Sequence, residues 1–195
     1  GARGGAVGLQ ELFLQLLAVG DGHRDVVDEI LARAVAHARD EGELGTFART
    51  AVELDDTFPG DPSILAALLM NRVFLNPGEA LYVPAGTLHA HLRGTGIEVM
   101  ASSDNVIRGS LTDKHVAVDE LVRIVDFSPH KPAVLTGRAV APGIREYPTD
   151  CPEFDLWRLD PTDGTPLQLP GHGMPRIALV TEGHATFADG EETVD

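Results

Sequence analysis

The apolar residues of this chain change their spacing once, at Arg72, and no other feature constrains the fold as much. Before that point they recur every third or fourth position. Leu9, Leu12, Phe13, Leu16 and Leu17 fall on one helical face, and Val26, Val27, Ile30, Leu31, Ala34, Val35 and Ala38 repeat the pattern. Gly42 stands beyond them as a stop signal. A third helix is predicted over 44–57, broken by Phe58-Pro59-Gly60, and Asp61-Pro62 offers an N-cap and a first-turn proline for a short helix reaching Met70. After Arg72 the pattern turns to short strands. Val73-Phe74-Leu75, then Asn76-Pro77-Gly78-Glu79, then Ala80-Leu81-Tyr82-Val83 read as strand, turn and strand. Further strands are predicted over 88–92, 96–101, 154–159, 176–181 and 183–187. A helix is predicted over 118–127, followed by the connector Ser128-Pro129-His130-Lys131-Pro132. The segregation predicts an α+β chain whose strands form an antiparallel sandwich or barrel.

The 195 residues suffice for one core, or one core with a small companion. With 30 acidic residues against 15 Lys and Arg, nucleic acid and anionic membranes are poor partners, although a few cations in a cleft can still hold an anion. Cys151 is the single cysteine, so an intrachain disulfide is excluded and a reducing compartment fits. No segment resembles a signal peptide or is long and apolar enough to span a bilayer, which makes a cytoplasmic protein the expectation. Residue 1 is glycine and opens a loop-like run into a helix, and the chain stops just past a hairpin-like turn. Both ends lead us to expect a piece of a longer polypeptide.

The most informative stretch begins at Gly78, turns at Pro84-Ala85-Gly86, and reaches His89 and His91 before Leu92-Arg93. Gly78 permits one tight turn, the Pro-Ala-Gly triplet makes a second, and the next strand then aims His89 at the mouth of a barrel. A neutral imidazole there suits Zn2+. Elsewhere, a strand histidine is more often structural than metal-bound. His91, two residues on, points to the same strand face. Downstream run Glu98, Met100-Ala101, Ser103-Asp104-Asn105-Val106-Ile107-Arg108, Leu111-Thr112 and Lys114.

The first of these stretches resembles the second signature of cupins, with Arg93 where that signature usually carries asparagine. Together with the downstream run, over roughly residues 76–127, it is similar to the type I mannose-6-phosphate isomerases. The resemblance implies an antiparallel jelly-roll cupin core with a separate helical subdomain. It divides the chain into a helical part (1–71), the later part of the catalytic cupin (72–130), and a connector with the first strands of a second cupin (131–195). It further implies a zinc-dependent aldose–ketose isomerase acting on mannose 6-phosphate and fructose 6-phosphate through a cis-enediol, monomeric, with a sugar phosphate as its partner.

By the same resemblance His89 is one of four zinc ligands. The others belong to Q-x-H and H-K-P-E motifs that are absent from these 195 residues and are expected upstream, so the chain alone should bind zinc poorly and be inactive. Arg108 matches the catalytic arginine that stabilises enediolate charge. Glu98 matches a proton-transfer base that needs burial to raise its pKa, with a buried ion pair to Arg108 as the rival structural role. Asp104 would orient Arg108 or serve in acid–base chemistry, and as a bare residue reads as a turn aspartate. Lys114 matches the lysine holding the substrate phosphate. His91 replaces a tyrosine at the pocket wall and is expected to contact substrate rather than metal. Two rival readings stay open: another cupin metalloenzyme, such as a dioxygenase or a different sugar-phosphate isomerase, and a non-catalytic sugar-binding cupin.

Overall fold

The computed structural model describes residues 2–18, 24–103, 105–112, 116–162, 165–189 and 192–194. Its first part is helical: α1 (Ala2–Leu17), α2 (Arg24–His37), α3 (Gly42–Thr57) and the short α4 (Ile64–Ala67). Val27, Leu31 and Ala34 of α2 pack on Ala48, Ala51 and Leu54 of α3, with Ile64, Leu65 and Ala67 of α4 closing the cluster. The alanines let the helix axes approach, and Val27 and Ile64 are wholly buried.

Two helix ends differ from the sequence expectation, each for a local reason. Gly42 does not stop α2 but opens α3, while α2 ends earlier, at His37. The carbonyls left free there are taken by Arg49, whose Nη1 donates to Ala38 O and Asp40 O at 3.0 Å each. At α4 the helix proper is four residues long. Its flanks close as tighter turns, with Ile64 N–H donating to Asp61 O, and Met70 N–H to Ala67 O, both at 3.1 Å.

A second cluster joins α1 and α4 to the downstream half of the chain. Phe13 and Ala66 pack with Leu121 of α5 (Val118–Ile124), and Leu88, Ile107, Val116, Val125 and Phe127 surround them. The rings of Phe13 and Phe127 lie 5.5 Å apart and tilted. Polar ties run beside it. Arg72 Nη2 donates to Glu53 Oε2 at 2.6 Å and Nη1 to Thr50 Oγ1 at 2.8 Å, with the guanidinium 5.0 Å over the Phe74 ring. Asn71 Nδ2 donates to His130 O at 2.9 Å.

The strands form small antiparallel sheets, so the chain is α+β. β1 (Ala80–Leu81) pairs with β2 (Val134–Leu135), and β3 (Arg138–Ala141), β4 (Ile144–Tyr147) and β5 (Leu156–Leu159) make a three-stranded meander. β6 (Phe187–Asp189) and β7 (Glu192–Val194) form a hairpin. In the meander Tyr147 stands opposite Leu156 and Ile144 opposite Leu159, and both Ile144 and Tyr147 are buried.

The strands predicted over 73–75, 88–92, 96–101 and 176–181 form no ladder among the described residues. A strand exists through its neighbour, and no described segment pairs with these. Their apolar side chains stand in solvent accordingly: Ile97, Val99 and Met100 are exposed, and Ile177 fully so. The helix predicted over 118–127 stops at Ile124, because Val125 adopts extended backbone. No helix among the described residues is long and apolar enough to cross a membrane.

Candidate functional site around His89

The site begins with two turns that only glycine can make. In the first, Glu79 N–H donates to Asn76 O at 2.9 Å, and Glu79 Oε2 accepts in return from Asn76 N–H at 2.7 Å. Pro77 followed by Gly78 at φ +84° is the pattern of a type II turn. The hydroxyl of Tyr147, on β4, donates to Gly78 O at 2.7 Å, so the second β region braces this turn. In the second turn Thr87 N–H donates to Pro84 O at 3.2 Å and Gly86 takes φ +79°. Asp126 N–H donates to Gly86 O at 2.9 Å, and a Cβ on Gly86 would stand 2.7 Å from Ile124 O. Gly86 therefore lets the turn close against the end of α5.

Past this turn Leu88 joins the apolar cluster under the helices, and His89 is exposed. The His89 Nδ1 lies 3.1 Å from Thr87 O. A carbonyl only accepts, so Nδ1 carries the proton and Nε2 keeps its lone pair for a metal or a proton. His89 Nε2 faces Glu98 Oε1 at 3.8 Å, and both side chains are about half exposed, at 48% and 49%. The His91 ring lies 6.2 Å from that of His89, edge on. His89, His91 and Glu98 thus share one solvent-facing side, as the alternation of a strand requires.

Arg108 reaches this neighbourhood through a backbone contact. A Cβ on Gly109 would meet Leu88 Cδ2 at 2.9 Å, so the segment carrying Arg108 lies directly on the residue before His89. Ile107 is held in the same cluster as Leu88. Arg108 itself is exposed. No ion pair joins it to Glu98, whose nearest opposite charge is His89 when that ring is protonated. The burial expected around Glu98 is also absent, because nothing among the described residues covers that face. A shallow depression of about 520 Å³, lined by Met100, Ala101, Ser102 and Ser103, opens beside it. Asp104 and Lys114 lie outside the described residues.

The chemistry of the donors allows one zinc bond. His89 has the tautomer and exposure of a ligand, with Thr87 O as the group that orients it; sequence reasoning does not single out Thr87, a backbone contributor that its side-chain type cannot flag. Among the described residues no three His, Cys, Asp or Glu side chains gather closely enough to enclose a metal. His89 fits as a single member of a donor set, not as a site by itself.

Comparison with known proteins gives this arrangement its context. The chain is 32% identical to mannose-6-phosphate isomerase 2 of Arabidopsis thaliana over 184 residues, covering 94% of the chain and 42% of the relative. It is 33% identical to the mannose-6-phosphate isomerase of Escherichia coli over 187 residues, 94% of the chain and 46% of the relative. The corresponding Salmonella typhimurium enzyme is 36% identical over 148 residues, 75% of the chain and 36% of the relative. No family profile and no solved structure matches the chain. An α+β chain with an exposed strand histidine defines only a broad class of candidate metal-site proteins. The relatives narrow it: this chain belongs to the mannose-6-phosphate isomerase family. It spans less than half the length of the curated relatives it matches.

Proposed function

We propose that this protein is a zinc-dependent isomerase that interconverts mannose 6-phosphate and fructose 6-phosphate. The observation that carries the reading is the alignment with isomerases over 94% of the chain, which necessarily spans residues 78–114. The β region is read as part of a cupin jelly roll, in keeping with the glycine turns at Gly78 and Gly86 and the apolar strands left without partners.

In this reading His89 binds zinc through Nε2, with its remaining ligands supplied from outside the described residues. Zinc, when bound, adds Lewis-acid stabilisation of oxygen charge and orders the sugar oxygens. Glu98 takes a proton from C2 of the aldose and returns it to C1, while the O2 hydroxyl proton passes to O1, so that the aldehyde becomes a hydroxymethyl group and C2 a ketone. Arg108 offers its planar donors to the enediolate oxygens as their charge develops. Asp104 orients Arg108, Lys114 binds the phosphate as a point charge, and His91 contacts the sugar from the pocket wall.

The test is isomerisation of mannose 6-phosphate by the full-length protein, followed by NMR in D2O. Fructose 6-phosphate should form, with deuterium entering at the carbon that receives the proton if the base exchanges with solvent. A protein that is folded and zinc-loaded yet forms none would sink the reading. Arg108→Ala should lower kcat about 100- to 1000-fold with zinc content intact; wild-type turnover in that variant removes Arg108 from the mechanism.

A further inference from the structure

The one non-glycine residue with positive φ among the described residues is Leu111, at φ +53°. A leucine avoids this region because its Cβ crowds the carbonyl oxygen, so the conformation persists only where the surroundings hold it. Two things hold it here. Its side chain packs against the helical core formed by α2, α3 and α4. Its N–H donates to Ser63 Oγ, at the N-cap of α4, over 3.3 Å.

That bond is long for N–H···O and depends on the hydroxyl being correctly turned. Asp61 supplies the orientation. Its Oδ1 accepts the Ser63 hydroxyl proton at 2.7 Å and the Ser63 N–H at 2.8 Å. With its proton committed to a carboxylate, the hydroxyl presents only lone pairs to Leu111, and the charge strengthens the chain of bonds. Arg108 sits three residues before Leu111 and one after Ile107, which is anchored in the second apolar cluster. The guanidinium therefore rides on a short span pinned at both ends to the helical part.

We propose that Asp61 and Ser63 are positioning residues: through Leu111 they fix the segment 107–112 and so set where Arg108 stands relative to His89. The mechanistic part rests on the isomerase reading above; the latch itself does not. It assigns the helical part a task in the chemistry beyond covering apolar surface. The charge of Asp61 acts two hydrogen bonds away from the backbone it controls.

The full-length, zinc-loaded protein tests this through two separate readouts. In Ser63→Ala, hydrogen exchange in peptides covering 107–112 should quicken about tenfold, with α2 and α3 unchanged. The kcat for mannose 6-phosphate should fall about tenfold with zinc content retained. Ser63→Thr, which keeps the hydroxyl, should restore both, and Asp61→Asn should fall between. Unchanged exchange over 107–112 in Ser63→Ala overturns the latch, as does exchange that quickens equally in α2 and α3, since that reports general loosening. Should Ser63→Ala not fold, Ser63→Thr and Asp61→Asn decide by the same two readouts. If the wild-type protein does not isomerise mannose 6-phosphate, the function reading fails alone and hydrogen exchange still decides the latch.

Discussion

Gly86 and Gly109 flank the site and would answer the same substitution differently. At Gly86 an alanine meets both a left-handed backbone, at φ +79°, and the carbonyl of Ile124 at 2.7 Å. Neither can yield, because the turn is tied to α5 through Asp126 N–H. We expect Gly86→Ala to cost about 1–3 kcal/mol from the backbone alone, and more from the clash, read as a lower urea midpoint. Gly109→Ala would press only on the tip of the flexible Leu88 side chain, so it should cost clearly less. Equal losses in the two variants would contradict this account. At the same scale, His89 is legible in the sequence because local turns frame it and turns are written in neighbouring residues. Leu111 is not: it meets Ser63 across 48 residues, and no local pattern carries such a contact.

Among the elements, helices can be read from the sequence and several strands cannot, for one physical reason. The apolar face of α2 or α3 is a property of its own sequence, and the cluster of Val27, Ala51 and Ile64 follows from those faces. A ladder belongs to two segments at once. β4 and β5 lie close in sequence and pair, while 88–92 and 96–101 have the right composition but no described neighbour. The end of α2 escapes a sequence reading because Arg49, rather than a glycine, satisfies the carbonyls beyond it. The exit from α5 offers a test in pH. Asp126 sits below the ordinary aspartate value of 3.8, chiefly through hydrogen bonding from the Ser128 side chain, then from its backbone N–H, with His130 adding positive potential. A carboxyl depressed on folding stabilises above its unfolded pKa, and that contribution disappears as pH falls through the folded value. Asp126→Asn should therefore melt below wild type at neutral pH, and the gap should close as the pH falls below 3.8. A gap that persists unchanged in acid would show that the charge plays no part.

For the whole molecule, the deciding quantity is how much of the site one chain contains. A single exposed imidazole cannot supply the roughly 10–16 kcal/mol with which complete structural sites hold zinc. We expect the 195-residue chain, prepared alone, to lose zinc to a mild chelator and emerge from gel filtration with far less than one metal per chain. Retention of one zinc per chain would require ligands other than those recognised here. The net charge of −15 gives no help in attracting a sugar phosphate, so any anion must be drawn by local cations such as Arg108. The tilted rings of Phe13 and Phe127 have a separate consequence, for how such a sequence can be inherited. They belong to one buried cluster shared by α1, α4 and α5. A recombination event with its crossover near Arg72 would bring together halves of that cluster from different parents. Exchanges that keep residues 13 to 127 on one parental stretch carry the packing with them and should be the ones that survive.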